Sequence, residues 1–128
     1  MSFKPKNFVV WTEIPVRDLG RGMAFYQSVF DLDMTRDQTG PNPVAFFPTD
    51  DKDGIAGHLY PGEPVTGGCG PTVHFACPDS LEKTRERITE NGGEVVSDTI
   101  SIPPGSFFYA KDPDGNSIGI FQPTSAAA

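Results

Sequence analysis

Apolar and polar residues change period along this chain in an order that recurs. From Phe8 to Val16 they alternate. Phe8, Val10 and Ile14 share a face with Thr12, and Trp11 and Glu13 take the other, which is the pattern of a strand buried on one side. The period then lengthens. Leu19, Met23, Tyr26, Val29 and Phe30 recur at helical spacing behind Asp18, whose carboxylate suits the N-cap, so a helix is predicted through Phe30. Three short strands are predicted at 33–37, 44–48 and 55–60, parted by Gly40-Pro41-Asn42-Pro43 and by Asp51-Lys52-Asp53-Gly54.

After a Pro- and Gly-rich connection at 61–71, the sequence starts over. Val73, Phe75 and Cys77 alternate with Thr72, His74 and Ala76 as a strand, and Asp79 is placed to cap a helix with Glu82 as its capping-box partner. Leu81, Thr84, Arg85 and Ile88 sit at helical spacing, and Asn91-Gly92-Gly93 ends that helix. Strands are predicted at 94–96, 106–110 and 117–121. In the last, Ile118 and Ile120 alternate with Ser117, Gly119 and Phe121. The final two strands flank Asp112-Pro113-Asp114-Gly115, a tight-turn sequence: Pro113 presets φ, Asp114 can bond nearby backbone and Gly115 tolerates positive φ.

An offset of 61 residues relates the two halves. It places Asp18 under Asp79, Asp37 under Asp98, Phe46-Phe47 under Phe107-Phe108, and the Asp51–Gly54 turn under Asp112–Gly115. A repeat this long is a duplicated supersecondary unit, not a solenoid turn. Each copy reads strand, helix, strand, strand, strand. One helix covers only one face of four strands, so the opposite face must curl around a ligand, a partner or its duplicate.

The chain has 128 residues, 37% of them hydrophobic and ten of them Phe, which is enough for one folded domain and too little for two. We expect that domain to span 1–124, with module 1 at 8–60, module 2 at 72–122 and a frayed tail at 125–128. No apolar run approaches a membrane span, and the first residues lack a signal peptide's apolar segment, so a cytoplasmic location is expected. The net charge of −7 argues against nucleic acid and suits a neutral or cationic ligand. Cys69 and Cys77 lack zinc-ligand spacing and suggest no disulfide framework; Cys77 reads as a small, buried apolar residue.

Ile14-Pro15-Val16-Arg17-Asp18-Leu19, Ala24-Phe25-Tyr26 with Val29-Phe30, Asn91-Gly92-Gly93 and Asp112-Pro113-Asp114-Gly115-Asn116, in that order, resemble the glyoxalase / bleomycin resistance protein / extradiol dioxygenase (vicinal oxygen chelate) superfamily, and in particular its glyoxalase-related branch. The resemblance covers nearly the whole chain. It implies an α+β fold of two βαβββ modules whose mixed β-sheet forms a cup with the helices outside, commonly in a homodimer. It also implies metal stations on the first and last strand of each module, here Trp11, His58, Thr72 and Gly119. Only His58 of these readily ligates a divalent ion, and Gly119 stands where metal-dependent members carry Glu.

Three functions are compatible with this pattern. The leading one is a binder of a small aromatic or cationic molecule, without the family's usual metal, lined by Trp11, Glu13, His58, Tyr60, Thr72, His74 and Phe121, since aromatic rings offer stacking and a negative π face. Phe107 reads as packing. The alternative is a metal-dependent lyase, isomerase or dioxygenase. In that reading Glu13, His58 and His74 form a two-His, one-carboxylate set for Fe, Mn, Ni or Zn, and Glu13 is the catalytic base. The third is a module whose cup is filled by another protein chain. Glyoxalase I activity itself is not expected.

Overall fold

The computed structural model describes residues 2–51, 53–65 and 70–124. Lys52 in the first turn, Cys69 in the connection and the 125–128 tail lie outside the described residues. Among the described residues the elements follow in the order β1 (Thr12–Val16), α1 (Leu19–Phe30), β2 (Thr35–Asp37), β3 (Val44–Phe46), β4 (Gly57–Pro61), β5 (Val73–Ala76), α2 (Leu81–Glu90), β6 (Glu94–Val95), β7 (Ile100–Ile102), β8 (Gly105–Lys111) and β9 (Ser117–Pro123). They build two mixed sheets, ordered β1-β4-β3-β2 and β5-β9-β8-β6, with β7 added to β8. Among the described residues no helix is long and apolar enough to cross a membrane.

The duplication is visible in the hydrogen-bond register. β1 runs parallel to β4 with Thr12 opposite Gly57 and Glu13 opposite His58; β5 runs parallel to β9 with Val73 opposite Ile118 and His74 opposite Gly119. Every one of these positions differs from its counterpart by 61. The inner hairpins do not keep that offset. Phe46 faces His58, whereas its counterpart Phe107 faces Phe121, two residues further on.

Alternation along the strands builds the core. Ile14, Val16, Ala45 and Leu59 are buried with the α1 residues Leu19, Phe25, Tyr26, Val29 and Phe30; Phe108, Ala110, Ile118 and Ile120 are buried with Leu81, Thr84 and Ile88 of α2. The two halves meet through rings. Phe75 of β5 packs against Tyr26, Phe30 and Phe47 at centroid distances of 5.6, 5.2 and 5.5 Å. Arg85 lays its guanidinium 4.4 Å above the Phe108 ring, so this member of the predicted α2 stripe contributes a cation–π contact.

Among the described residues the sheets share no strand pair. A polar clamp from the second module's turn joins them instead. The buried Asp112 carboxylate accepts the Tyr26 hydroxyl (2.8 Å), the backbone N–H of Asp114 and Asn116 (both 2.9 Å) and the Asn116 side-chain amide (2.9 Å). That amide also donates to the Pro15 carbonyl, and Asp114 receives Arg17. Gly115, at φ 90°, gives the turn its left-handed corner. Burial pushes the Tyr26 hydroxyl well above its usual range, with Asp112 adding to the effect. Burial also raises Asp112, against the pull of its hydrogen bonds.

Several predicted boundaries move. The first strand begins at Thr12, not Phe8, because its partner β4 begins at Gly57 and residues further upstream have no strand to pair with. Phe8 and Val10, expected on the buried face, are 82% and 62% exposed. The cap of α2 is Ser80, whose hydroxyl accepts the Lys83 N–H; Asp79 is drawn off by Arg87, which donates to both of its oxygens at 3.0 and 2.8 Å. The Asp18 cap on α1 is as predicted. Strand β7 was not expected. Its Ile100 and Ile102 remain largely exposed, and it exists by turning back through Pro103-Pro104 onto β8.

Two measurements test this account. Tyr26→Phe should cost about 1–2 kcal/mol in chemical denaturation and Asp112→Ala about 2–4 kcal/mol, because the latter orphans several donors; the double variant should cost clearly less than the sum. Asp79 is held down at about 2 by the Arg87 hydrogen bonds and the Ser80 N–H, below its usual value, so it stabilises the fold above the unfolded carboxylate range. The stability gap between wild type and Asp79→Asn should therefore close as pH falls from about 4 through about 2.

Candidate functional site

Because Ile14 and Leu59 turn toward α1, their strand neighbours turn to the opposite, open face of the first sheet. Trp11, Phe46, His58 and Tyr60 gather there. The Trp11, Phe46 and Tyr60 rings lie 5.9, 6.0 and 6.2 Å from the imidazole of His58. Trp11 Nε1–H donates to His58 Nδ1 at 3.0 Å, and since indole nitrogen can only donate, Nδ1 carries no proton. The His58 proton then sits on Nε2, which faces Glu13 Oε1 at 3.6 Å. Indole, imidazole and carboxylate thus form a chain that ends in a largely solvent-open acid able to meet a cation or take a proton.

The second sheet presents a matching face. His74 lies edge-on to Phe107 and Tyr109 at 5.3 and 5.8 Å, and Phe107 stacks on Phe121 at 6.5 Å. By register, Glu13 and His58 of the first sheet correspond to His74 and Gly119 of the second. The absence of a side chain at 119 has a visible use. A Cβ built on Gly119 would fall within the His74 imidazole, so the ring occupies the space that any larger residue would claim. Thr72 is tied by its hydroxyl to Ser117.

Between the sheets, beside β1 and the start of β9, lies a cavity of about 660 Å³, a volume typical of small-molecule sites. Trp11, Glu13, Thr72 and His74 line it together with Asn116 and Ser117. His58, Tyr60 and Phe121 do not reach it: His58 and Tyr60 stay on the open face of the first sheet, and Phe121 on that of the second. Glu13 and His58 are brought into contact, whereas His74 belongs to the other aromatic panel. Among the described residues no group of three His, Cys, Asp or Glu side chains is placed to hold a metal ion. The four stations implied by the resemblance supply one imidazole, already hydrogen-bonded by Trp11, an indole, a hydroxyl and a glycine. They do not fit a divalent ion, which takes about three protein ligands in a catalytic site.

Sequence reasoning missed two aromatics on these faces, Phe46 and Tyr109, and Phe107 lies beside His74. The repeat carried a usable signal. Phe46 is the counterpart of Phe107, and both stand on open-face positions next to a histidine.

Comparison with known proteins follows the same architecture. Residues 9–120 match the family described as the Glyoxalase/Bleomycin resistance protein/Dioxygenase superfamily. A glyoxylase-like domain-containing protein from Didymella fabae is 30% identical over 117 residues, covering 84% of this chain and 88% of the relative. Among solved structures, the fosfomycin resistance protein FosX from Listeria monocytogenes superposes with a TM-score of 0.71 at 18% identity, covering 95% of this chain and 94% of FosX. The antibiotic binding protein TnmS3 from Streptomyces sp. CB03234 gives 0.63 at 24% identity, covering 95% of this chain and all of TnmS3 (100%).

The indole–imidazole contact is open to direct measurement. Long-range proton–nitrogen NMR at neutral pH should show His58 as a single Nε2–H tautomer in the wild type. Trp11→Phe, which removes the donor, should yield a tautomer mixture; an unchanged spectrum would mean that Trp11 does not hold the ring.

Proposed function

The chain belongs to the glyoxalase/bleomycin resistance protein/dioxygenase superfamily, and we propose that it binds a small aromatic or cationic molecule at the seam between its two sheets without the metal ion characteristic of many relatives. The observation that carries this reading is the pairing of His74 with Gly119. The position where metal-dependent relatives have a carboxylate is filled by a ring, and Glu13, which lines the same cavity, is turned toward the His58 imidazole and solvent. Trp11 supplies an aromatic wall to the cavity and Glu13 a negative charge beside it. A planar cation would gain from both, through stacking and cation–π attraction on one side and Coulomb attraction on the other.

Binding by such a cup needs no chemistry beyond shape and charge. TnmS3, described as antibiotic binding, and FosX, described as a fosfomycin resistance protein, support a small-molecule role for this fold. The chain's net charge of −7 favours approach of a cation over that of an anion.

The test uses the chain's single tryptophan, which stands at the cavity wall. Proflavine and related aromatic cations should quench Trp11 fluorescence saturably in the presence of a chelator, and Glu13→Gln should weaken that binding about tenfold, or about 1.4 kcal/mol. Elemental analysis after exposure to Fe(II), Mn(II), Ni(II) and Zn(II) forms the second arm. Stoichiometric metal uptake abolished by His58→Ala or His74→Ala would replace this reading with the metal-dependent enzyme built on Glu13, His58 and His74.

A further inference from the structure

Two hollows meet at the seam. Besides the cavity that Trp11 and Glu13 share, a second of about 490 Å³ runs along β5 toward the end of α1, walled by Phe30, Leu32, Phe47, Ile55 and Phe75. Thr12, Val73 and His74 stand in the walls of both. β1 pairs with β4 and β5 with β9, so among the described residues no ladder of backbone hydrogen bonds closes the passage between these two edges. Each hollow is of a size that holds a small molecule, and each is lined mainly by apolar atoms.

Charge is found at one end of this trench. Among the described residues Glu13 is the single Asp, Glu, Lys or Arg side chain on either wall, and it stands in the first cavity with the Trp11 indole. Asp50, Asp51 and Asp53 are exposed on the loop beyond Thr49 and do not line the second. A ligand matched to both hollows therefore carries one positive charge, at the end that reaches Glu13, and an apolar body along the rest of its length. A second charge would be left unpaired among the rings of the second hollow.

Resting on the reading of the first cavity as a cation site, we propose that the molecule bound here is an amphiphilic cation. Its planar charged head lies against Trp11 and Glu13, and its hydrocarbon chain crosses at Thr12, Val73 and His74 into the second hollow. The advantage of the long ligand over its bare head is then set by burial of CH₂ groups, at about threefold in affinity for each one well buried. Cys77 gives the second hollow its own reporter. Its thiol is free and half-buried in that wall, and it does not line the first cavity.

Two probes that differ only in chain length, N-methylquinolinium and N-octylquinolinium, test this below the concentration at which the longer one forms micelles. Quenching of Trp11 fluorescence should give the octyl ion an affinity at least about thirtyfold above that of the methyl ion. In a Cys69→Ser background Cys77 is the one thiol left. There, saturating octyl ion should slow alkylation of Cys77 by N-ethylmaleimide at least about fivefold, and saturating methyl ion should leave the rate unchanged. Should Cys77 not react in the free chain, Ile55→Gln, at a 42% exposed position of the same wall, decides instead. It should weaken the octyl ion at least about threefold and leave the methyl ion unaffected. Equal affinities for the two ions, or a gain that neither protects Cys77 nor responds at Ile55, would overturn the proposal and leave the cation site standing. A chain that binds neither ion would take both readings down.

Discussion

The Asp112 carboxylate is the point on which the arrangement of this molecule turns. Two sheets that exchange no strand pair have no ladder to fix their relative position, and apolar contact between Phe75 and the α1 rings is non-directional. Direction comes from polar bonds across the seam: Tyr26 donates to the buried Asp112 carboxylate, Asn116 to the Pro15 carbonyl, Arg17 to Asp114 and Arg87 to the Val29 carbonyl, while three donors of its own turn hold that carboxylate in place. Burial opposes the charge, as the upward shift of Asp112 records, but each donor would itself be stranded without it. Among the described residues no buried side-chain nitrogen or oxygen lacks a partner. The clamp sets the width of the seam, and with it the cavity that Glu13 and His74 share.

Duplication followed by divergence gives the two modules one backbone plan with different side-chain chemistry. Both modules keep the same strand order and the same register between first and last strands. What differs is chemistry at equivalent positions. Glu13 and His58 answer to His74 and Gly119. The turn at Asp112–Gly115 reaches across to Tyr26, while its counterpart at Asp51–Gly54 bonds Thr49 and its own backbone.

Each sheet face places a histidine among aromatic rings, but the two are held differently. His58 accepts a hydrogen bond from Trp11 at Nδ1, which sets its tautomer, and faces Glu13 with the other nitrogen. His74 is held by packing, lying over the vacancy at Gly119 between Phe107 and Tyr109. Neither is presented as a free ligand beside two others.

Most elements were legible in the sequence because they follow local rules: alternation for the strands, helical spacing for the two helices, and Pro-Asp-Gly chemistry for the turn, with the repeat settling their order. Errors arose where a partner, not a local preference, decides. Thr12 begins β1 because its parallel partner β4 begins opposite it at Gly57, Ser80 caps α2 because Arg87 takes Asp79, and β7 exists only against β8. The open-face residues Trp11, Glu13, His74 and Phe121 could be named from alternation, since a period of two assigns faces without knowledge of the fold, whereas His58 and Tyr60 came from the motif resemblance and the repeat. Which of them meet could not be. Contact between Glu13 and His58, the ring of His74 over Gly119, and the clamp that brings Asp112 to Tyr26 across 86 positions join residues distant in the chain, and such distances are set by how the sheets pack, a property of no single segment.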